Sequence, residues 1–142
     1  MSALRRPADI DRLGYVCTLL NRRRYIPDIH AANYQLRSGA ERMAINMPIQ
    51  GTAADIIKLA MIRVLDEMRE RRVRSRMILQ VHDELVFEVP KDERQLMTTL
   101  VKEVMEGALS LVVPLTVEVK IGRHWGEVAP VEDAAAESVG VA

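Results

Sequence analysis

The stretch "QVHDELVFEV", Gln80–Val89, sets His82, Asp83 and Glu84 between two runs that favour strand. Carboxylates at an exposed turn can hold a divalent cation. A hard ion such as magnesium takes oxygen ligands and keeps several waters, so one or two carboxylates plus substrate phosphates suffice. Adjacent side chains in extended backbone point to opposite faces, so of Asp83 and Glu84 one is expected to be the ligand and the other peripheral. His82 can ligate a metal, act as a base, or hydrogen-bond a phosphate or sugar. Tight hairpins favour Asn-Gly or Asp-Gly, and no glycine stands here. Taken by itself, the stretch reads first as a plain polar turn.

A second polar set lies upstream in "ERMAINMPIQGTAADIIKLAM", Glu41–Met61. Arg42 and Asn46 are four residues apart and share a helix face, with Gln50 four further on. Arginine and two amides on one face suit contacts to phosphates and base edges. Asn and Gln can reach the minor-groove acceptors common to all base pairs, which checks shape without reading sequence. A solvent-facing polar stripe fits the spacing equally well. Arg22, Arg23 and Arg24 form a third polar set, a basic one, beside a hairpin tip, suited to phosphate or to a solvated edge that resists aggregation.

The elements that must position these residues follow from pattern. "GYVCTLLNRRRYIPDI", Gly14–Ile29, reads as a β-hairpin, with Asn21 tolerating the left-handed turn. Ser38 and Glu41 form a capping box for a short helix that Pro48 ends or kinks. Thr52 and Asp55 are a weaker start for a second helix running to Arg71 or Arg72. Its apolar face is Ile56, Ile57, Ala60, Met61, Val64, Leu65 and Met68. Met77–Val81 and Leu85–Val89 are the strands of the next hairpin, whose simple alternation turns Ile78, Gln80, Leu85, Phe87 and Val89 toward the helices. Asp92 and Gln95 suggest a capping box for a third helix ending near Leu109 or Leu111, with the stripe Leu96, Leu100, Val104 and Ala108. "PLTVEVKIG" supplies a last strand, and residues 128–142 read as a disordered tail. The expected fold is α+β: a small antiparallel sheet, made of the second hairpin and a further strand, packed against three helices, with an N-terminal β-hairpin. Residues 1–12 are an N-terminal lead.

At 142 residues, 49% hydrophobic and 28% charged, the chain suits one globular domain. No apolar run approaches the roughly 18 residues of a membrane span, so no membrane partner is expected. "MSALRRPADID" lacks the apolar core of a signal peptide, and Cys17 stands alone, so the expectation is a cytoplasmic protein. The zero net charge is unevenly spread: residues 1–76 carry 15 Lys and Arg against 8 Asp and Glu, and residues 77–142 carry 5 against 12. That split suits a polyanion on one side and cations on the other; two differently charged solvated surfaces would look the same.

Taken together, "INMPIQGTAADIIKLAM" and "QVHDELVFEV" resemble the C-terminal part of the family A DNA polymerases, of the bacterial DNA polymerase I type. "GYV.TL..RRRY.PDI" upstream and "VEV.IG..W", Val117–Trp125, match in the same order, so the resemblance covers about residues 13–127. It implies partial fingers and palm, with the His-Asp-Glu turn as a palm hairpin. Asp83 would bind the catalytic Mg2+ ions, Glu84 would play a lesser supporting part, and His82 would lie against the primer terminus. Arg42, Asn46 and Gln50 would contact primer–template DNA, with Gln50 near the minor groove. The implied reaction is attack of a primer 3′-hydroxyl on the α-phosphate of a dNTP, assisted by two metals.

The resemblance also exposes what these residues lack. The family's second metal-binding Asp, in "DYSQIELR", and its nucleotide-binding helix, "R...K..NFG..YG", have no counterpart in the 142 residues. Only one Mg2+ ligand is therefore expected here, and dNTP binding only if a missing polymerase part, such as a second polymerase chain, complements it. The expectation is a polymerase piece inactive by itself. The alternative is a non-catalytic DNA-binding or interaction module derived from a polymerase.

Overall fold

Tyr15–Cys17 (β1) pairs antiparallel with Arg23–Tyr25 (β2), the register setting Tyr15 opposite Tyr25 and Val16 opposite Arg24. This is seen in a computed structural model that describes residues 13–131, in two compact units dividing between Lys58 and Leu59. The expected lead at 1–12 and the tail beyond residue 131 lie outside the described residues. Asn21 supplies the turn with φ of 63°. One face of the hairpin is aromatic: the Tyr15 and Tyr25 rings meet edge-on at 5.5 Å, and the Arg23 guanidinium sits 4.8 Å above Tyr15. On the other face, Val16 is buried with Ile26, Ala40, Ala44 and Met47. A short 3-10 turn at Pro27–His30 leads onward.

The long helix α1 spans Tyr34–Glu70. Two sequence expectations fail here. The helix starts at Asn33, whose Oδ1 accepts the N–H groups of Gln35 and Leu36 at 2.8 and 3.4 Å, so Ser38 lies inside it instead of capping it. Of the two outcomes expected at Pro48, an end or a kink, the end does not occur: the helix runs on through it. Proline removes an intrahelical hydrogen bond and costs ~3 kcal/mol in a helix interior, and contacts from outside offset this. Thr52 donates its hydroxyl to the Pro48 carbonyl and accepts the Leu19 N–H at 3.0 Å, while Asp55 binds Arg22. Thr52 and Asp55, expected to open a helix, instead dock the first hairpin onto one. The expected first two helices are thus a single element.

In the second unit, Val64 and Met68 of α1 meet Met97, Leu100 and Val101 in one core, with Val73, Met77, Phe87 and Val89 packed on it. The end of α1 is a Schellman motif: Val73 N–H bonds the Met68 carbonyl at 3.2 Å and Arg72 N–H the Arg69 carbonyl at 3.1 Å, with Arg72 left-handed at φ 51°. Arg76–Val81 (β3) and Glu84–Glu88 (β4) then form an antiparallel hairpin.

Its register shifts between Met77 and Leu79, leaving Ile78 as a bulge. The simple alternation expected from sequence is therefore corrected on one side of the bulge. Met77 stands opposite Phe87 and faces the core, while Ile78, expected there, is 58% exposed.

After a 3-10 turn at Lys91–Glu93 comes α2, Arg94–Glu106. Asp92 does not cap it; it pairs with the Arg74 guanidinium. Neighbouring Glu93 accepts both Arg74 N–H (2.8 Å) and Ser75 N–H (2.9 Å), and the Ser75 hydroxyl at 2.6 Å. The buried residues of α2 are Met97, Leu100 and Val101; of the expected stripe Leu100 and Ala108 are buried and Val104 packs on the core, whereas Leu96 is 39% exposed and Met97 takes its place. The helix ends at Glu106, before Leu109.

The chain is α+β, as expected, but built of three separate two-stranded sheets and two α-helices among the described residues. The last expected strand does not join the second hairpin. Only Lys120–Gly122 (β5) is strand, and it pairs with Val128–Pro130 (β6), residues expected to belong to the tail. Before β5 the backbone is satisfied otherwise: Val117 N–H donates to the Glu106 carboxylate at 3.0 Å and the Val119 carbonyl accepts from Val131 at 3.2 Å.

Candidate nucleic-acid interface and carboxylate turn

Pairing of Val81 with Glu84 leaves His82 and Asp83 as a two-residue turn, where the sequence expectation put them. His82 takes the left-handed conformation at φ 53°, which costs an L-residue about 1–2 kcal/mol. The Gln80 side-chain amide donates to the His82 carbonyl at 2.8 Å and fixes the turn from beneath. His82, Asp83 and Glu84 are all exposed. Among the described residues no three His, Cys, Asp or Glu side chains gather closely enough to hold a metal ion. Asp83 offers a single carboxylate, and an ion needs more ligands than that. The described residues therefore do not fit a resident magnesium centre unaided.

The first unit contains a different arrangement. Arg42, Asn46 and Gln50 are all exposed on α1, as the helical spacing requires. Asn46 and Gln50 line an open cleft of about 360 Å³ with Met43, Met47 and Gly51. Its other wall is Arg22 and Arg24 from the first hairpin; Arg42 is outside the lining. Cross-strand pairing explains Arg24: it lies opposite buried Val16 and so shares the hairpin face turned to α1, whereas Arg23 stacks on Tyr15. The Arg24 guanidinium makes no hydrogen bond or ion pair among the described residues. Arg22 is committed: its Nε lies 2.6 Å from Asp55 Oδ1 and its Nη2 donates to the Gly51 carbonyl at 2.9 Å.

Gly51 permits the approach. A Cβ there would lie 2.7 Å from Thr18 Cγ2. Sequence reasoning noted the arginines but could not join them to the amides, because the contact depends on docking the hairpin against the helix. The conspicuous glycine of "QGTAAD" was the available signal.

A cleft with an exposed arginine, Arg24, and two exposed amides is chemically suited to a phosphate-bearing ligand with polar base edges. The family described as DNA polymerase family A matches residues 5–127. The chain is 54% identical over 112 residues to DNA polymerase I of Bacillus subtilis, covering 79% of this chain and 13% of that protein. It is 56% identical over 114 residues to the thermostable DNA polymerase I of Thermus thermophilus, covering 80% of this chain and 14% of that one. It is also similar to the solved POL domain of Pol1 from M. smegmatis in complex with DNA primer-template and dNTP. The TM-score there is 0.81 at 50% identity, over 83% of this chain and 21% of that one. The chain thus spans about one-seventh of the curated relatives it matches. With most of its length matched by the family, this chain belongs to DNA polymerase family A.

Proposed function

We propose that these residues form a primer–template-contacting part of a DNA polymerase, one that transfers nucleotides from dNTPs to a primer 3′-hydroxyl. The observation that carries this reading is the cleft joining Arg24 to Asn46 and Gln50, in a chain of a polymerase family. Arg42, Asn46 and Gln50 contact primer and template, and His82 meets the primer terminus from its turn. Asp83 contributes one carboxylate to a magnesium centre, with Glu84 in support. The remaining ligands, and the groups that bind dNTP, come from a further part of the polymerase, on this or a second polypeptide. Residues 13–127 are the functional region, working on cytoplasmic DNA. No described helix is long and apolar enough to cross a membrane.

By themselves the 142 residues bind primer–template but do not extend it. Two measurements check this. Binding at low salt should weaken in Arg42→Ala and Gln50→Ala and fall steeply as salt rises. Extension should be absent with the purified chain and magnesium, and appear on mixing with a polymerase part carrying the second Asp and the dNTP-binding helix. Magnesium-dependent extension by the chain alone, abolished in Asp83→Ala, would refute the inactivity. Binding without extension in every such mixture would favour the non-catalytic module.

A further inference from the structure

We propose that the Arg22–Asp55 pair is a positioning device for DNA binding, seating the first hairpin so that Arg24 stands across the cleft from Asn46 and Gln50; the proposal rests on the DNA-interface reading above. Asp55 poses the problem. Its side chain is 9% exposed, and among the described residues its buried Oδ2 has no hydrogen-bond partner and its ion pair is with Arg22. A carboxylate so close to a cleft for DNA opposes the approach of phosphates. It also neutralises the one arginine of the cleft that it touches. Its contribution to binding must therefore be made through geometry.

The geometry is specific. Arg22 bridges two points on α1, the Asp55 carboxylate at 2.6 Å and the Gly51 carbonyl at 2.9 Å. The same turn is held again where Leu19 N–H meets Thr52 Oγ1 at 3.0 Å and Arg22 N–H meets Thr18 Oγ1 at 3.1 Å. Arg24 follows two residues later on a strand whose register is set by that turn, on the face turned to α1. A guanidinium can span a carboxylate and a carbonyl at once because its donors are fixed in a planar fork; an ammonium cannot hold that geometry. Arg22 thus transmits the position of α1 to Arg24.

The test uses the full chain and a primer–template duplex, with affinity read by fluorescence anisotropy across a salt series. Charge alone predicts that Asp55→Asn binds more tightly and that Arg22→Lys binds unchanged. Positioning predicts the opposite sign: both weaken binding, about five- to tenfold, and lower the slope of log K against log salt by about 1, the loss of one phosphate contact. In an Arg24→Ala background, Asp55→Asn should add nothing, whereas a hairpin merely loosened would add its own loss. Arg22→Lys decides the matter should Asp55→Asn not fold. Unchanged or tighter binding by a folded variant, or additivity with Arg24→Ala, overturns the proposal. Absence of binding by the unaltered chain at low salt strikes the DNA-interface reading itself, and this inference falls with it.

Discussion

Ser75 gives Glu93 both its hydroxyl, at 2.6 Å, and its backbone N–H, at 2.9 Å, and the adjacent Arg74 N–H adds a third bond at 2.8 Å. The Ser75 hydroxyl, followed by the Arg74 N–H, holds the Glu93 carboxyl at about 2, below the ordinary 4.5. Because the folded value is the lower one, the stabilisation is complete above about 4.5 and is lost as pH falls toward 2. Glu93→Gln should therefore lower stability at neutral pH and remove this part of the acid dependence. Urea titrations between pH 7 and pH 2 check it: the two proteins should converge in acid.

Gly51→Ala sets helix propensity against packing. Alanine favours a helix interior by about 1 kcal/mol over glycine. The new methyl would meet Thr18 Cγ2 at 2.7 Å and Met47 Cε at 3.1 Å. Thr18 is buried, and its hydroxyl is held by the Arg22 N–H, so it cannot simply swing aside. Overpacking outweighs the propensity gain, and a net loss of up to about 2 kcal/mol is expected in urea denaturation. Thr18→Ser removes the offending methyl while keeping the hydroxyl, and in combination should recover most of the loss.

His82→Gly should stabilise the second hairpin. The left-handed backbone costs histidine about 1–2 kcal/mol, and glycine's greater unfolded entropy returns roughly half of that, leaving a gain of about 0.5–1 kcal/mol. Primer–template affinity should fall in the same variant. Thermal melts and anisotropy, measured side by side, check the opposed effects. A variant that gains stability and keeps full affinity would remove His82 from the interface.

The orientation of α2 can be checked by a pair of truncations. Met97 is 2% exposed within the core and Leu96 is 39% exposed beside it. Met97→Ala should cost about 2–4 kcal/mol and Leu96→Ala under about 1.5. A larger loss at Leu96 than at Met97 would mean that this turn of the helix faces the way the sequence spacing suggested.

What was legible in the sequence was mostly local. The left-handed Asn21, the strands on either side of His82 and Asp83, and the α+β class follow from turn chemistry and periodicity. The misreadings arise where a distant contact outweighs a local preference. Pro48 looked like a boundary, yet Thr52 and Asp55 are held by Leu19 and Arg22 from outside the helix. Asp92 looked like a cap, yet Arg74 claims it. The cleft was invisible for the same reason: Arg24 comes to line one cleft with Asn46 and Gln50 only once the hairpin is docked.

The bulge at Ile78 divides the second hairpin into two lengths that are out of phase with each other. On one side, Met77 and Phe87 answer to the packing around Leu100; on the other, Gln80, His82 and Asp83 answer to whatever the tip meets. A change in the core can thus be accommodated without rotating the tip residues to the wrong face. Selection can act on the two ends of one short hairpin almost as though they were separate genes.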